Sequence, residues 1–181
     1  ARPNKCIDSV LVGAQLITAL QSIVSRSVDP LESAVISMCE FHAGNARNVI
    51  PQTAELAGTV RTLNGEVRKM VERRVREVVA GVAQITGARI DLTYDRGYPV
   101  TVNHAGQTEV ATRAARDIAG DANVHVMPPL MAGADFAFML EKKPGAYIMI
   151  GNGGTVEGGC HNVHSPLYDF NDRILTTGAA Y

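Results

Sequence analysis

Thr53–Arg96, TAELAGTVRTLNGEVRKMVERRVREVVAGVAQITGARIDLTYDR, changes period twice, and those changes decide the fold. From Thr53 to Leu63 the residues alternate: Leu56, Gly58 and Val60 share one face, and Glu55, Ala57, Thr59 and Arg61 share the other. A period of two is that of a strand. Asn64-Gly65 ends it. Then Val67, Met70, Val71, Val75, Val78, Val79, Val82 and Ile85 fall on one helical stripe, with Arg68, Lys69, Glu72, Arg73, Arg76 and Glu77 off it. Gly87 is the natural residue to close that helix, because glycine adopts the left-handed conformation freely. Ile90, Leu92 and Tyr94 then alternate with Arg89, Asp91 and Thr93, which predicts another strand.

Working upstream, Asp8 is placed to cap a helix that opens near Ser9. Val10, Leu11, Ala14, Ile17, Leu20 and Val24 follow at helical spacing. Asp29-Pro30 breaks it, since proline disfavours helical geometry in the residue before it. Leu31–His42 alternates, with Ala34, Ile36 and Met38 on one face, and Ala43-Gly44-Asn45 is a turn. Residues 7–96 thus give helix, strand, strand, helix, strand. One more strand just before Ala1 would complete a βαββαβ unit, an α+β sandwich with both helices on one face. The opening Ala1-Arg2-Pro3-Asn4 has no signal-peptide pattern and resembles the middle of a longer protein.

Downstream, Gly97-Tyr98-Pro99-Val100 has the look of a linker. A helix is expected from about Thr108 to Ile118, a short strand at Val124–Met127 and a helix from about Ala134 to Glu141. Ala146–Ile150 is a continuous apolar run, as in a strand buried on both faces. A glycine-rich loop covers 151–159, and a last helix starts near Asn171 or Asp172. Alternating helix and buried strand suggests an α/β layer.

Composition narrows the function. Hydrophobic residues make up 46% of the 181, charged residues 19%, and the net charge is −1. Such a chain forms an ordinary core and carries no electrostatic footprint for nucleic acid. With no tryptophan and few aromatics it offers no stacking surface for bases. No apolar run long enough to span a bilayer is expected. Cys6, Cys39 and Cys160 are odd in number and far apart, so the expectation is a reducing cytoplasm rather than a disulfide framework.

Three segments could carry chemistry. In Cys160-His161-Asn162-Val163-His164-Ser165-Pro166, a loop histidine can present a ring nitrogen to a metal, although a loop histidine bonded to backbone gives the same pattern. Pro166 argues against a helical His161–His164 pair, and the chain does not supply a full ligand set. In the second, Asn48 precedes an extended Val-Ile-Pro, and Arg61 lies on the face opposite Leu56 and Val60. An amide and a guanidinium suit a substrate carboxylate, but a turn Asn and a solvated Arg would look the same. In the third, Asp135 could simply be a first-turn carboxylate favoured by the helix dipole. Gly151-Asn152-Gly153-Gly154 lacks the Lys-Ser/Thr ending of a phosphate loop. Cys160 has no evident base partner.

Taken in order, these segments resemble the aminoacylase and glutamate-carboxypeptidase-like metallopeptidase family, within it the hippurate hydrolase and indole-acetyl-amino-acid hydrolase type of amidohydrolase. The resemblance rests on Ala1-Arg2-Pro3, Gly44–Pro51, Gly58-Thr59-Val60-Arg61-Thr62, Tyr98–Asn103, Pro144–Tyr147 through Ile150-Gly151-Asn152-Gly153, and His164-Ser165-Pro166 with Tyr168–Asp172. It implies a dimerisation (lid) domain over residues 1–102, pairing with its copy in a homodimer. Residues 103–181 would be the C-terminal segment of a catalytic domain. It implies two divalent metal ions, zinc, manganese or similar, and hydrolysis of the amide bond of N-acyl or N-aroyl amino acids. His164 matches the family's last metal ligand, and Asn48 and Arg61 match its substrate-carboxylate positions. The general base and the other ligands lie upstream in the family, so no catalytic residue is expected in this chain and the chain alone should be inactive. Two positions depart from the pattern. Ala134 stands before Asp135 where the family usually has Glu, and His161 where it usually has an aliphatic residue or Met. The competing reading is an isolated dimerisation module without chemistry.

Overall fold

A computed structural model describes residues 2–153 and 161–181. The chain divides into two compact units, residues 1–100 with 129–133, and residues 101–128 with 134–181. The linker at 97–100 thus ends the first unit, and Pro129–Gly133 returns to it, which local pattern does not foretell.

The first unit begins with a 3-10 turn, Pro3–Lys5, and the helix α1 (Ser9–Arg26). The Asp8 carboxylate accepts hydrogen bonds from the Val10 and Leu11 N–H groups, satisfying donors that a helix start leaves unmet. Strands β1 (Ala34–Ala43) and β2 (Ala54–Thr62) form an antiparallel pair, from Ala34 opposite Thr62 to Ala43 opposite Ala54. The register slips between Met38 and Glu40, so Cys39 is an extra residue in β1. Helix α2 (Gly65–Thr86) is capped by the Asn64 side chain and closed by Gly87 at φ +71°.

The core lies between the helices and the hairpin. Leu16, Leu20 and Ile23 of α1 and Val67, Val71, Val75 and Val79 of α2 pack with Ile36 of β1. Ile23 and Val71 lose all contact with solvent, each contributing roughly 2 kcal/mol of apolar burial. By length and composition α1 could cross a membrane, with a mean hydropathy of 1.2 over its 18 residues, contrary to the sequence expectation. In this fold its apolar stripe packs against α2.

Two positions on α2 differ from the sequence pattern. Ile85, expected in the stripe, is 86% exposed, because it falls in the last turn beyond the packed region. Glu72, expected off the stripe, is buried. It accepts hydrogen bonds from Arg96 Nε at 2.6 Å and Arg76 Nη2 at 3.0 Å. The Arg76 guanidinium lies over the Tyr94 ring, 5.8 Å from its centre. The expected strand at Ile90–Tyr94 has no ladder partner among the described residues. Ile90 and Tyr94 still pack on the core, and Arg68 Nη2 donates to the Gly97 carbonyl. Side chains therefore hold this segment in place without a sheet.

The second unit contains α3 (Ala105–Ala119), α4 (Phe136–Leu140) and α5 (Leu175–Ala180). The Asn171 side chain accepts from Arg173 N and opens the 3-10 turn Asp172–Ile174 that leads into α5. Val124–Met127 and Ala146–Ile150 form no ladder among the described residues. The second run is not buried on both faces, for Met149 is 58% exposed. Some eighty residues supply too few neighbouring strands to sandwich it. Of the fold class expected from sequence, mixed α and β structure is present; the sheet among the described residues has two strands.

Candidate functional site

Arg61 lies next to last in β2, opposite Val35, and is half-buried. Within the same unit Gly133 comes against it. A Cβ at Gly133 would stand 2.8 Å from Arg61 Nη1 and 3.4 Å from Tyr98 Cδ2, so any side chain there would make the guanidinium shift. No carboxylate pairs with Arg61 among the described residues, so its fork of donors is available to an anion. Local sequence pattern missed Gly133, because the contact joins positions 72 apart.

Asn48 sits in the β1–β2 loop, in a turn at Arg47–Asn48 where Val49 N donates to the Ala46 carbonyl. It is exposed, and its loop forms a shallow pocket with Asp8 and Val10 at the start of α1. A turn is one of the two readings the sequence left open for it. The Ser9 hydroxyl donates to the Pro51 carbonyl and fixes this loop on the helix. Arg61 is seven residues along β2 from Ala54, about 23 Å at strand rise, so the two side chains stand at opposite ends of the hairpin.

In the second unit His164 is exposed on a turn closed by Ser165 N donating to the Asn162 carbonyl. Its φ of +73° makes it the one non-glycine residue with positive φ among those described. Such backbone strain gathers at functional sites. Ser165 and the backbone at Tyr168 continue the turn, through Leu167 N to Ser165 Oγ and Tyr168 N to Ser165 O. The Asn152 side chain donates to the Asp169 carbonyl and accepts from Asn171 N, each at 2.8 Å. It ties the end of the Ala146–Ile150 run to the chain just beyond His164. Asn103 makes a similar clamp, accepting from Tyr147 N and donating to Tyr147 O. Both asparagines stood in the quoted motifs, but their role became visible only with their backbone partners.

His161 is exposed in the same loop. Asp135 precedes α4 without making a side-chain cap. Cys160 and most of the glycine-rich loop lie outside the described residues. Among those described, no three His, Cys, Asp or Glu side chains converge as a metal set. A zinc-type centre needs at least three protein donors, so His164 could serve such an ion as one donor, and the described residues do not complete the shell.

Against known proteins, residues 7–181 match the peptidase family M20/M25/M40. Hippurate hydrolase of Campylobacter jejuni is 37% identical over 99% of this chain and 46% of its own length. N-acetylcysteine deacetylase of Bacillus subtilis is 35% identical over 99% of this chain and 45% of its own. N-acetyldiaminopimelate deacetylase of Enterococcus faecalis is 35% identical over 98% and 46%. The chain therefore spans less than half the length of these relatives. A crystal structure of a Bacillus subtilis dinuclear metal-binding peptidase from the M20 family superposes with TM-score 0.66 at 30% identity, covering 97% of this chain and 44% of that one.

Proposed function

Starting from a chain that belongs to the peptidase family M20/M25/M40, we propose that it is a portion of a metal-dependent amidohydrolase cleaving the amide bond of N-acyl or N-aroyl amino acids. The observation that carries this is the match over 98–99% of this chain to relatives named hippurate hydrolase, N-acetylcysteine deacetylase and N-acetyldiaminopimelate deacetylase. Two divalent ions, zinc, manganese or similar, would supply a water activated for attack on the amide carbonyl. His164 offers one imidazole to that centre from its strained turn. The general base and the remaining donors belong to polypeptide outside this chain. Residues 103–181 are then the end of the catalytic domain and residues 1–102 the lid. The free, exposed thiols of Cys6 and Cys39 suit a reducing cytoplasm.

Arg61 and Asn48 bind the substrate carboxylate, and their separation sets how. One chain cannot close both on one carboxylate across about 23 Å. Among the described residues the outer edge of β1 has no ladder partner. Two such edges paired antiparallel about a two-fold axis lay the Ala43 end of one beside the Ala34 end of the other. The Asn48 loop of the second copy then arrives at the end of the hairpin where Arg61 faces Val35. Homodimerisation through the lid and the carboxylate clamp become one proposal.

The test is made on the full-length protein. Arg61→Ala should raise KM for hippurate by roughly tenfold to a hundredfold, the worth of a lost charge-assisted hydrogen bond. The same change should leave turnover of N-ethylbenzamide, which has no carboxylate, near its starting level. Equal losses on both substrates would remove Arg61 from the clamp. The second reading, a dimerisation module without chemistry, is favoured for the isolated chain because no donor set converges among its described residues. The 181-residue chain supplied with zinc or manganese should not hydrolyse hippurate, and turnover there would overturn the assignment of base and ligands to other polypeptide.

A further inference from the structure

Three residues from separate parts of the first unit come together at Gly133. A Cβ placed there would stand 2.8 Å from Arg61 Nη1 and 3.4 Å from Tyr98 Cδ2, so the guanidinium and the ring edge lie within about 6 Å of each other. Arg61, Tyr98, Ala132 and Gly133 line one groove. Tyr98 is 50% exposed, so much of a large aromatic side chain remains open to a neighbour. Its backbone is held from both sides. Arg96 is bound to Glu72 at 2.6 Å, and the Gly97 carbonyl accepts from Arg68 Nη2 at 2.8 Å. Pro99 follows, and the residue before a proline is confined to extended backbone. An aromatic ring kept this close to a guanidinium is a surface for whatever part of a ligand adjoins its anionic group.

We propose that Tyr98 determines substrate specificity: its ring receives the side chain of the N-acyl amino acid, and substrates with a large apolar or aromatic side chain are favoured over N-acylglycines. The inference rests on Arg61 binding the substrate carboxylate, as proposed above. A carboxylate on a guanidinium places its oxygens about 2.8 Å from the nitrogens. Cα is two bonds beyond those oxygens, so groups attached to Cα come to the distance at which the Tyr98 ring stands. Cα carries two such groups, the amide and the side chain. The amide is committed to the metal ions, which leaves the side chain for the ring. Ala132 and Gly133 are small and leave the space beside the ring unfilled. A flat or branched apolar group there covers the ring and gains from the contact, whereas an N-acylglycine brings only a hydrogen.

Kinetics of the full-length protein on hippurate and N-benzoyl-L-phenylalanine test the assignment, because the two share the acyl group and the carboxylate and differ only at Cα. The parent should show the higher kcat/KM on the phenylalanine substrate. Tyr98→Ala should raise KM for that substrate by roughly tenfold more than for hippurate. Tyr98→Phe should keep the parental preference, since the ring and not the hydroxyl makes the contact. Arg61→Ala and Gly133→Ala act on the carboxylate and should raise KM for both substrates alike, which separates the clamp from the ring. Equal losses on the two substrates in Tyr98→Ala would place the ring against the acyl group or in a purely structural role, and would overturn the assignment. A parental preference for hippurate, or loss of the preference in Tyr98→Phe, would overturn it as well, with Arg61 still in the clamp. If Arg61→Ala changes KM for neither substrate, or the parent hydrolyses neither, the clamp itself is wrong and the role of Tyr98 falls with it.

Discussion

Glu72 is a buried carboxylate on the apolar side of a helix, and its protonation state bears on stability. Hydrogen bonds from Arg96 and then Arg76 hold its carboxyl below the ordinary range, outweighing the opposing effect of burial. A group whose pKa is lower in the folded chain binds fewer protons there than when unfolded. It therefore stabilises the fold above the unfolded value, near 4.5, and that contribution disappears as pH falls through the folded value. Glu72→Gln should be less stable than the parent at pH 7 and should lose less stability between pH 6 and pH 3. Urea unfolding at each pH measures both slopes, and parallel slopes would show that Glu72 is not a linked group. Periodicity placed Glu72 off the core because its nearest off-helix partner, Arg96, lies 24 positions downstream. A helical wheel has no means of registering an arginine brought back by a later segment.

Among the elements, the ends of helices were the most legible, because a cap is a local transaction between a side chain and a nearby N–H. Asp8 and Gly87 could each be recognised from a few residues of sequence, while Asn64, read as the end of a strand, also caps α2. Strand pairing was less legible. Alternation at Ile90–Tyr94 identifies a face that packs on the core but says nothing about whether a neighbouring strand is present. The bulge at Cys39 was invisible for a related reason, since it is a property of two strands together. It does leave a mark on β2: a Cβ at Gly58 would lie 2.3 Å from the Ser37 carbonyl oxygen and 2.8 Å from Met38 Sδ. The oxygen is strand backbone and cannot move without disturbing the ladder. Gly58→Ala should cost about 1–3 kcal/mol, the range for overpacking, and fall at its upper end because the clash is with backbone. Gly13→Ala makes the useful contrast. Its Cβ would meet the Phe41 ring, 2.6 Å from Cζ, but that ring is partly exposed and can swing aside. Alanine also gains about 1 kcal/mol over glycine within a helix, so Gly13→Ala should cost under about 1 kcal/mol in net. Chemical denaturation of the two variants ranks them, and the reverse order would mean that the sheet, not the ring, is the part that yields.

At the scale of the whole molecule, the candidate site was legible as residue types in order but not as an assembly. Asn48, Arg61 and His164 could be picked from motifs, yet the chain divides them between two units, with Arg61 and Asn48 in the first and His164 in the second. No sequence period reports that Asn48 and Arg61 occupy opposite ends of one hairpin; that requires the β1–β2 register. The register leads to a prediction that no single substitution can make. If each clamp takes Arg61 from one copy and Asn48 from the other, full-length Asn48→Ala and Arg61→Ala proteins should complement each other. Either variant alone spoils both sites of its dimer. In a dimer of one with the other, both substitutions fall in one site and the second site is intact. Random exchange makes half the dimers mixed with one good site in two, so mixing equal amounts should restore about a quarter of parental activity on hippurate for a two-fold dimer. A clamp built within a single chain gives no restoration at any mixing ratio, because every site then keeps a damaged residue. Recovery near a quarter, absent when subunit exchange is blocked, would place the substrate carboxylate between two copies of this hairpin.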